Sequence, residues 1–154
     1  MWAKATDISD HYRQHWQGTG FKAQLVAPSR EAAVHYKEAL DEIGHVSSEI
    51  IMSNPKTWEG HEEPGSDSNS VLNQFWKKMM LKYKTEDEYN RQIVANFHSA
   101  DDPEILIVIS KLLTGFDAPR NTILYVCKNL TDLNLLQAIA RVNRLFEEDK
   151  EFGF

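Results

Sequence analysis

The run EILIVI at residues 104–109 is apolar at every position after the glutamate. A strand with one face in solvent alternates apolar and polar residues, whereas a strand covered on both faces is continuously apolar. Both faces are covered when a parallel sheet lies between layers of helices. The run therefore predicts a central strand of an α/β fold with a parallel sheet.

The segments on either side alternate between strand and helix patterns, as such a fold requires. Further strands are predicted at 22–27 (KAQLVA), 45–52 (HVSSEIIM) and 122–127 (TILYVC), and helices at 5–16, 30–43, 70–83, 85–98 and about 132–146. Ser29 and Gly44 are typical start and stop residues for the helix at 30–43. Thr85 and Glu88 have the spacing of a capping box.

This alternation divides the chain into a connector helix at residues 1–20 and an α/β domain at 21–154. Residues 53–98 are an insertion, which opens with a loop rich in Asn, Pro, Gly and Ser and continues with two helices. Its apolar residues either pack onto the domain or contact another domain, and core packing is the default. The last residues, EFGF, look like the start of another element, so we expect a fragment truncated at its C-terminus.

The composition is that of an ordinary soluble domain. The chain has 154 residues, a formal net charge of −6, 42% hydrophobic residues and one cysteine. Cys127 cannot form an intramolecular disulfide, which points to a reducing compartment. No apolar run approaches the roughly 20 residues of a membrane helix. We expect a cytoplasmic protein with no membrane partner.

Charge is unevenly distributed along this acidic chain. Residues 105–146 contain five basic and two acidic residues, a net charge of +3. A locally basic segment in an acidic protein indicates a specific anion site. The alternative is chance placement on solvated faces.

Several kinds of site are excluded by missing motifs. No G-x-x-x-x-G-K-[ST] phosphate loop occurs, and the glycine-rich residues 18–23 precede a strand instead of following one. His11 and His15 are one helical turn apart but have no third ligand, so we expect no metal site. Nucleophile-elbow and His-Glu-x-x-His motifs are also absent.

Residues 110–119 (SKLLTGFDAP) leave the carboxyl end of the most apolar strand, where ligands bind in open α/β sheets. Gly115 allows the backbone to approach a ligand, and Asp117 can accept hydrogen bonds from sugar hydroxyls or an arginine. The alternative is a turn shaped by Gly115 and Pro119 with a solvated Asp117.

The predicted last helix carries a second candidate site. At about 100° per residue, Gln137, Arg141 and Arg144 lie on one narrow stripe, opposite the helix's apolar residues. Two guanidinium groups one turn apart can bind phosphate oxygens. The alternative is an amphipathic helix with a solvated basic face.

Together, these two segments resemble a known pair of motifs. A T-G-F-D-A-P turn after a buried strand, with Q-x-x-x-R-x-x-R about 20 residues later, resembles motifs V and VI of superfamily 2 helicases and translocases. The sequences LLTGFDAPRNTILYV (112–126) and LLQAIARVNR (135–144) resemble the motor of the restriction (R) subunit of type I restriction enzymes. Residues 22–40 resemble the opening of that subunit's second RecA-like lobe.

The resemblance implies a RecA-like parallel sheet with helices on both faces, and a role for individual residues. Arg144 would be the arginine finger that reaches the terminal phosphate of ATP, with Arg141 beside it. Gln137 would position this cluster, and Gly115 and Asp117 would lie near the nucleotide.

Four further residues would contact the DNA backbone: Ser29, Arg30, Ser110 and Lys111. One departure is Ala140, where many of these helicases have glycine.

The resemblance also implies partners. ATP and Mg²⁺ would be bound mainly by a first RecA-like lobe, which carries the phosphate loop. Double-stranded DNA, a nuclease domain of the same subunit, and the modification and specificity subunits would complete the complex. The chain would be the second motor lobe of a DNA translocase and inactive alone.

Two alternatives remain from the sequence. The chain could be a lobe of another superfamily 2 DNA or RNA helicase, which an upstream nuclease domain would argue against. It could also be a non-catalytic nucleic-acid-binding or docking module, which a substitution of Arg144 would distinguish.

Overall fold

The computed structural model describes residues 2–51, 71–99, 102–109 and 121–127. The elements in chain order are α1 (Trp2–His15), β1 (Lys22–Ala27), α2 (Arg30–Ile43), β2 (Ser48–Ile50), α3 (Val71–Tyr83), α4 (Glu86–His98), β3 (Ile105–Ile109) and β4 (Asn121–Val126). Each element predicted within these ranges is present. The predicted loop at 53–69 and the predicted helix at about 132–146 lie outside the described residues.

The four described strands form one sheet in the order β2-β3-β1-β4, and every neighbouring pair is parallel. β3 lies between β2 and β1, and all five of its residues are buried. In register, Ile107 of β3 faces Leu25 of β1 on one side and Ile50 of β2 on the other. The continuously apolar run is therefore a central parallel strand, as predicted.

Helices contact both faces of this sheet. Tyr125 of β4 is the register partner of Leu25, and its hydroxyl is hydrogen-bonded to Nδ1 of His11 on α1 at 2.8 Å. Lys22, three residues before Leu25, points to the opposite face and donates to the carbonyl of Asn96 on α4 at 3.2 Å. The predicted α/β fold class is confirmed, and the arrangement is consistent with a RecA-like fold.

α2 begins and ends at the residues predicted from its caps. The Ser29 hydroxyl accepts a hydrogen bond from the backbone N–H of Ala32 at 3.0 Å. Gly44 has a left-handed backbone (φ 75°), and its N–H donates to the carbonyl of Leu40 at 3.0 Å. Both ends follow from local chemistry, because serine caps orphan N–H groups and glycine adopts positive φ without strain.

β2 is shorter than the strand predicted at 45–52. The Ser47 N–H donates to the Glu104 carboxylate at 3.0 Å, and the Ser47 hydroxyl donates to Asp102 at 2.7 Å. The N–H and hydroxyl of Ser47 therefore bond to side chains, and its carbonyl still accepts from the backbone N–H of Ile105, the first residue of β3, at 3.0 Å. Beyond β2, one further bond joins the N–H of Ile51 to the carbonyl of Ile107.

The described helices of the insertion pack onto the domain. Trp76 and Met79 of α3 are buried, and Tyr89 of α4 is fully buried. The Tyr89 ring meets Trp76 and Tyr83 edge-on, with ring centroids 5.8 Å and 5.3 Å apart. These contacts confirm core packing for the apolar side of α3. Within the described ranges, no helix combines the length and apolar character needed to cross a bilayer.

Candidate functional site

The carboxyl ends of β1 and β3 lie next to each other. Their last residues, Ala27 and Ile109, are register partners in the parallel ladder. Adjacent strands are about 4.8 Å apart. The chain thus leaves β1 and β3 from adjacent positions at one edge of the sheet, and the next residues in sequence are Pro28 and Ser110. We call this the carboxyl edge, where open α/β sheets bind ligands.

Ser29 lies at this edge as the cap of α2. Its backbone is extended (φ −152°, ψ 168°), and its hydroxyl oxygen accepts the Ala32 N–H. A hydroxyl that accepts one hydrogen bond can still donate its own proton. Ser29 is half-buried, so an anion at the helix N-terminus can reach it.

Arg30 occupies the first turn of α2, and only 3% of its surface is exposed. Its side chain is buried and interacts with other residues of the protein. Of the two residues predicted here to contact DNA, Ser29 is therefore the more accessible. DNA contact by either residue stays a prediction.

Tyrosines near the end of β4 were not identified from the sequence. Burial, together with a hydrogen bond with Cys127, raises the pKa of Tyr36 to about 12. Burial also raises the pKa of Tyr125 well above its ordinary value. These phenols are therefore neutral at physiological pH. The sequence feature that could have indicated this cluster is Cys127, the only cysteine of the chain.

The remaining predicted site residues lie outside the described residues. They are Ser110, Lys111, Gly115, Asp117, Gln137, Arg141 and Arg144, and their roles stay predictions. Within the described part of the chain, no three His, Cys, Asp or Glu side chains are grouped to hold a metal ion.

A parallel sheet with helices on both faces defines an α/β protein, and open sheets of this kind are the class in which ligands bind beyond the carboxyl ends of the strands. Residues 19–154 match the family described as type I restriction enzyme subunit R domain 3. The match covers most of the chain, and the chain belongs to this family.

Curated relatives carry matching names. A protein of Methanocaldococcus jannaschii, provisionally named the MjaVIIP type I restriction enzyme endonuclease subunit, is 36% identical over 95% of this chain and 14% of its own length. The HindI type I restriction enzyme endonuclease subunit of Haemophilus influenzae is 29% identical over 92% of this chain and 13% of its own length. The chain thus spans about one seventh of the length of these relatives.

Proposed function

We propose that the chain is the second motor lobe of an ATP-dependent type I restriction endonuclease subunit. In this role it supplies an arginine finger and DNA-backbone contacts for ATP-driven translocation along double-stranded DNA. The proposal rests on one combination: membership of the R-subunit family together with the Q-x-x-x-R-x-x-R sequence at residues 137–144.

The described geometry supports this role at the sheet. Because Ala27 and Ile109 are register partners, the segments carrying Ser29 and Ser110 start from adjacent positions. Two backbone contacts to one DNA strand require such a common edge. The N-terminus of α2 adds backbone N–H groups that favour an anion there.

ATP and Mg²⁺ would be held mainly by a first lobe. The chain contains no phosphate-loop sequence, and its described residues offer no cluster of metal ligands. Bound Mg·ATP supplies the phosphoryl group that is transferred to water. The chain's own contribution is to orient Arg144 and Arg141 toward the terminal phosphate, with Gln137, Gly115 and Asp117 positioning the nucleotide side of the cleft.

Movement along DNA would follow from the hinge between two lobes. Closure of the lobes on the nucleotide brings Arg144 to the phosphate, and opening after hydrolysis withdraws it. Contacts to phosphates hold register on DNA without reading sequence. DNA cleavage and site recognition would then belong to a nuclease domain and to the modification and specificity subunits.

The test is Arg144→Ala in the full-length subunit. DNA-stimulated ATP hydrolysis should fall by roughly 10³-fold or more, which is the range for loss of an arginine finger. Duplex DNA binding should change little. Arg13→Ala, an exposed arginine on α1, is the control and should hydrolyse ATP as the wild type does.

Unchanged hydrolysis in the Arg144→Ala subunit would overturn the motor role in favour of a non-catalytic docking module. Family membership already favours the type I assignment over other superfamily 2 helicases.

A further inference from the structure

α3 presents a basic surface on the side opposite its buried residues. Trp76 and Met79 face the core, whereas Lys77 and Lys78 are exposed. Lys84, just after the helix, is also exposed. No acidic residue occurs from 68 to 85 in a chain of net charge −6. We call Lys77, Lys78 and Lys84 the α3 lysine face.

The three lysines of this face differ from the other basic residues of the insertion. Among the described residues, none of the three forms an ion pair, whereas Arg91 of α4 pairs with Glu88. Lys82 is also exposed, but its ammonium lies 5.1 Å from the centroid of the Tyr83 ring, and its charge partly offsets the rise in the pKa of the half-buried Glu49. Lys78 lines a groove of about 240 Å³ that α2 carboxylates also line, so it lies at the border of the face.

The α3–α4 turn lies toward the carboxyl edge of the sheet. Near the start of α4, the Tyr89 hydroxyl donates to the carbonyl of Ile50, the last residue of β2. Near its end, the carbonyl of Asn96 accepts from Lys22, the first residue of β1. α4 therefore runs antiparallel to the strands, so its start, which follows Lys84, is directed toward the carboxyl side of the sheet.

The dimensions of this region suit an extended ligand. β2, whose end contacts α4 through Tyr89, and β1, which leads to Ser29, are two strand spacings apart, or about 10 Å. Along α3, seven residues from Lys77 to Lys84 rise by about 10 Å. Measured along the axis of duplex DNA, this length corresponds to about three successive phosphates of one strand.

We propose that the α3 lysine face binds the phosphate backbone of double-stranded DNA and extends the contact at the carboxyl edge. The inference rests on the proposed function, which brings DNA to that edge. Charge complementarity selects the occupant, because unpaired ammonium groups attract phosphates and release their counterions. Lysine acts here as a point charge, so the contact is independent of DNA sequence.

The test uses the full-length subunit carrying Lys77→Gln, Lys78→Gln and Lys84→Gln together. Duplex binding is measured between roughly 50 and 200 mM salt. The slope of log affinity against log salt should become shallower by about 0.9 for each lysine that contacts a phosphate, and affinity at ~100 mM salt should fall about tenfold or more. The loss should be equal for duplexes of unrelated sequence.

A charge-matched control removes the same three charges elsewhere: Lys4→Gln, Arg13→Gln and Arg91→Gln, all at exposed positions on α1 and α4. This control should keep the wild-type slope. An equal loss in both triple variants would overturn the proposal, since the effect would then come from net charge alone. Unchanged binding by the α3 variant would also overturn it.

A substitution of Leu81 distinguishes DNA from a protein as the ligand of this face. Its side chain is exposed among these lysines, with 86% of its surface accessible. Leu81→Ala should leave the salt slope unchanged, since a phosphate contact does not use an apolar side chain. The proposal is wrong if both Leu81→Ala and the lysine variant bind duplex DNA normally but no longer bind another subunit. The face would then be a protein interface.

The outcome is separable from the proposed function. Arg144→Ala reports on hydrolysis, whereas the lysine variants report on duplex affinity. Normal duplex binding by the lysine variant with arginine-dependent hydrolysis intact would reject the lysine face alone. If the wild type does not hydrolyse ATP but its duplex binding depends on the lysines, only the motor role is rejected. Thermal unfolding of each variant confirms that the subunit is folded.

Discussion

Lys22 shows what a single residue gains from partners that are distant in sequence. Only 3% of its surface is exposed, although lysine is almost never fully buried without partners. Its ammonium donates to the carbonyl of Asn96 and lies 5.2 Å from the centroid of the Phe97 ring. The strand pattern predicted the position of Lys22, but no local signal reveals partners that lie 74 residues away.

Tyr89 is a second buried polar residue, and its contribution to stability can be measured. Its side chain is fully buried, and its hydroxyl donates to the carbonyl of Ile50. Tyr89→Phe leaves a carbonyl at the end of β2 without this donor, which should cost about 1–2 kcal/mol in the free energy of unfolding. Urea unfolding of the chain measures the loss.

Tyr83→Phe is the matched control for this substitution. Tyr83 contacts the Tyr89 ring and is only half-buried, so removing its hydroxyl should cost less than about 0.5 kcal/mol. Equal losses for the two variants would show that the hydrogen bond to Ile50 is not the source of the stability.

Glu49 makes stability depend on pH in an unusual direction. Burial raises its pKa above the ordinary 4.5, with Asp41 adding to the rise, and the nearby Lys37 and Lys82 only partly offset it. Between 4.5 and the raised value, the folded state binds more protons than the unfolded state. The contribution of Glu49 to stability therefore falls as pH rises through this window.

Glu49→Gln should remove this contribution. The free energy of unfolding of the variant, relative to wild type, should increase as pH rises from about 4.5 toward neutrality. Urea unfolding at a series of pH values measures the difference. Glu42→Gln, on an exposed position of α2, is the control and should follow the wild-type profile. A constant difference between Glu49→Gln and wild type across this range would contradict the prediction.

At the scale of elements, the end of a helix or strand can be predicted when the contacts that determine it are local in sequence. Both ends of α2 were predicted because Ser29 and Gly44 act on backbone groups within four residues. The predicted start of β2 was too early, because the N–H of Ser47 donates to the side chain of Glu104, 57 residues away. A window of sequence contains the first kind of information and lacks the second.

Ser29 allows the structural role of an element boundary to be separated from its predicted DNA contact. Ser29→Ala removes the cap of α2 and should cost about 1 kcal/mol in unfolding free energy. Ser29→Asp keeps a good cap and adds a negative charge at the helix N-terminus, so stability should be retained. The same charge repels phosphate.

Duplex binding by the full-length subunit measures the second effect. Ser29→Asp should bind DNA more weakly than Ser29→Ala, although it is the more stable variant. Wild-type affinity in Ser29→Asp would contradict a phosphate contact at this residue. A parallel order of stability and affinity would show that Ser29 acts only through the helix.

For the whole molecule, the strand order explains why one apolar run indicated the class of fold. β3 is bordered by β1 and β2 and covered on both sides, so all five of its residues are buried, and all five are apolar. β4 borders only β1 among the described strands and carries an exposed residue, Val126. The spatial order β2-β3-β1-β4 itself was not predictable, because each crossover brings together residues far apart in sequence.

The proposed division of labour between two lobes gives the last prediction. The chain lacks the G-x-x-x-x-G-K-[ST] sequence that binds the β- and γ-phosphates in motors of this kind, and positioning these groups accounts for most of phosphoryl-transfer catalysis. An arginine finger without them has no bound phosphate to stabilise. The purified chain, assayed with ATP, Mg²⁺ and duplex DNA, should therefore release phosphate at the buffer rate, while the full-length subunit assayed in parallel hydrolyses ATP. Turnover by the chain that disappears in Arg144→Ala would show that this lobe binds and hydrolyses the nucleotide without the first.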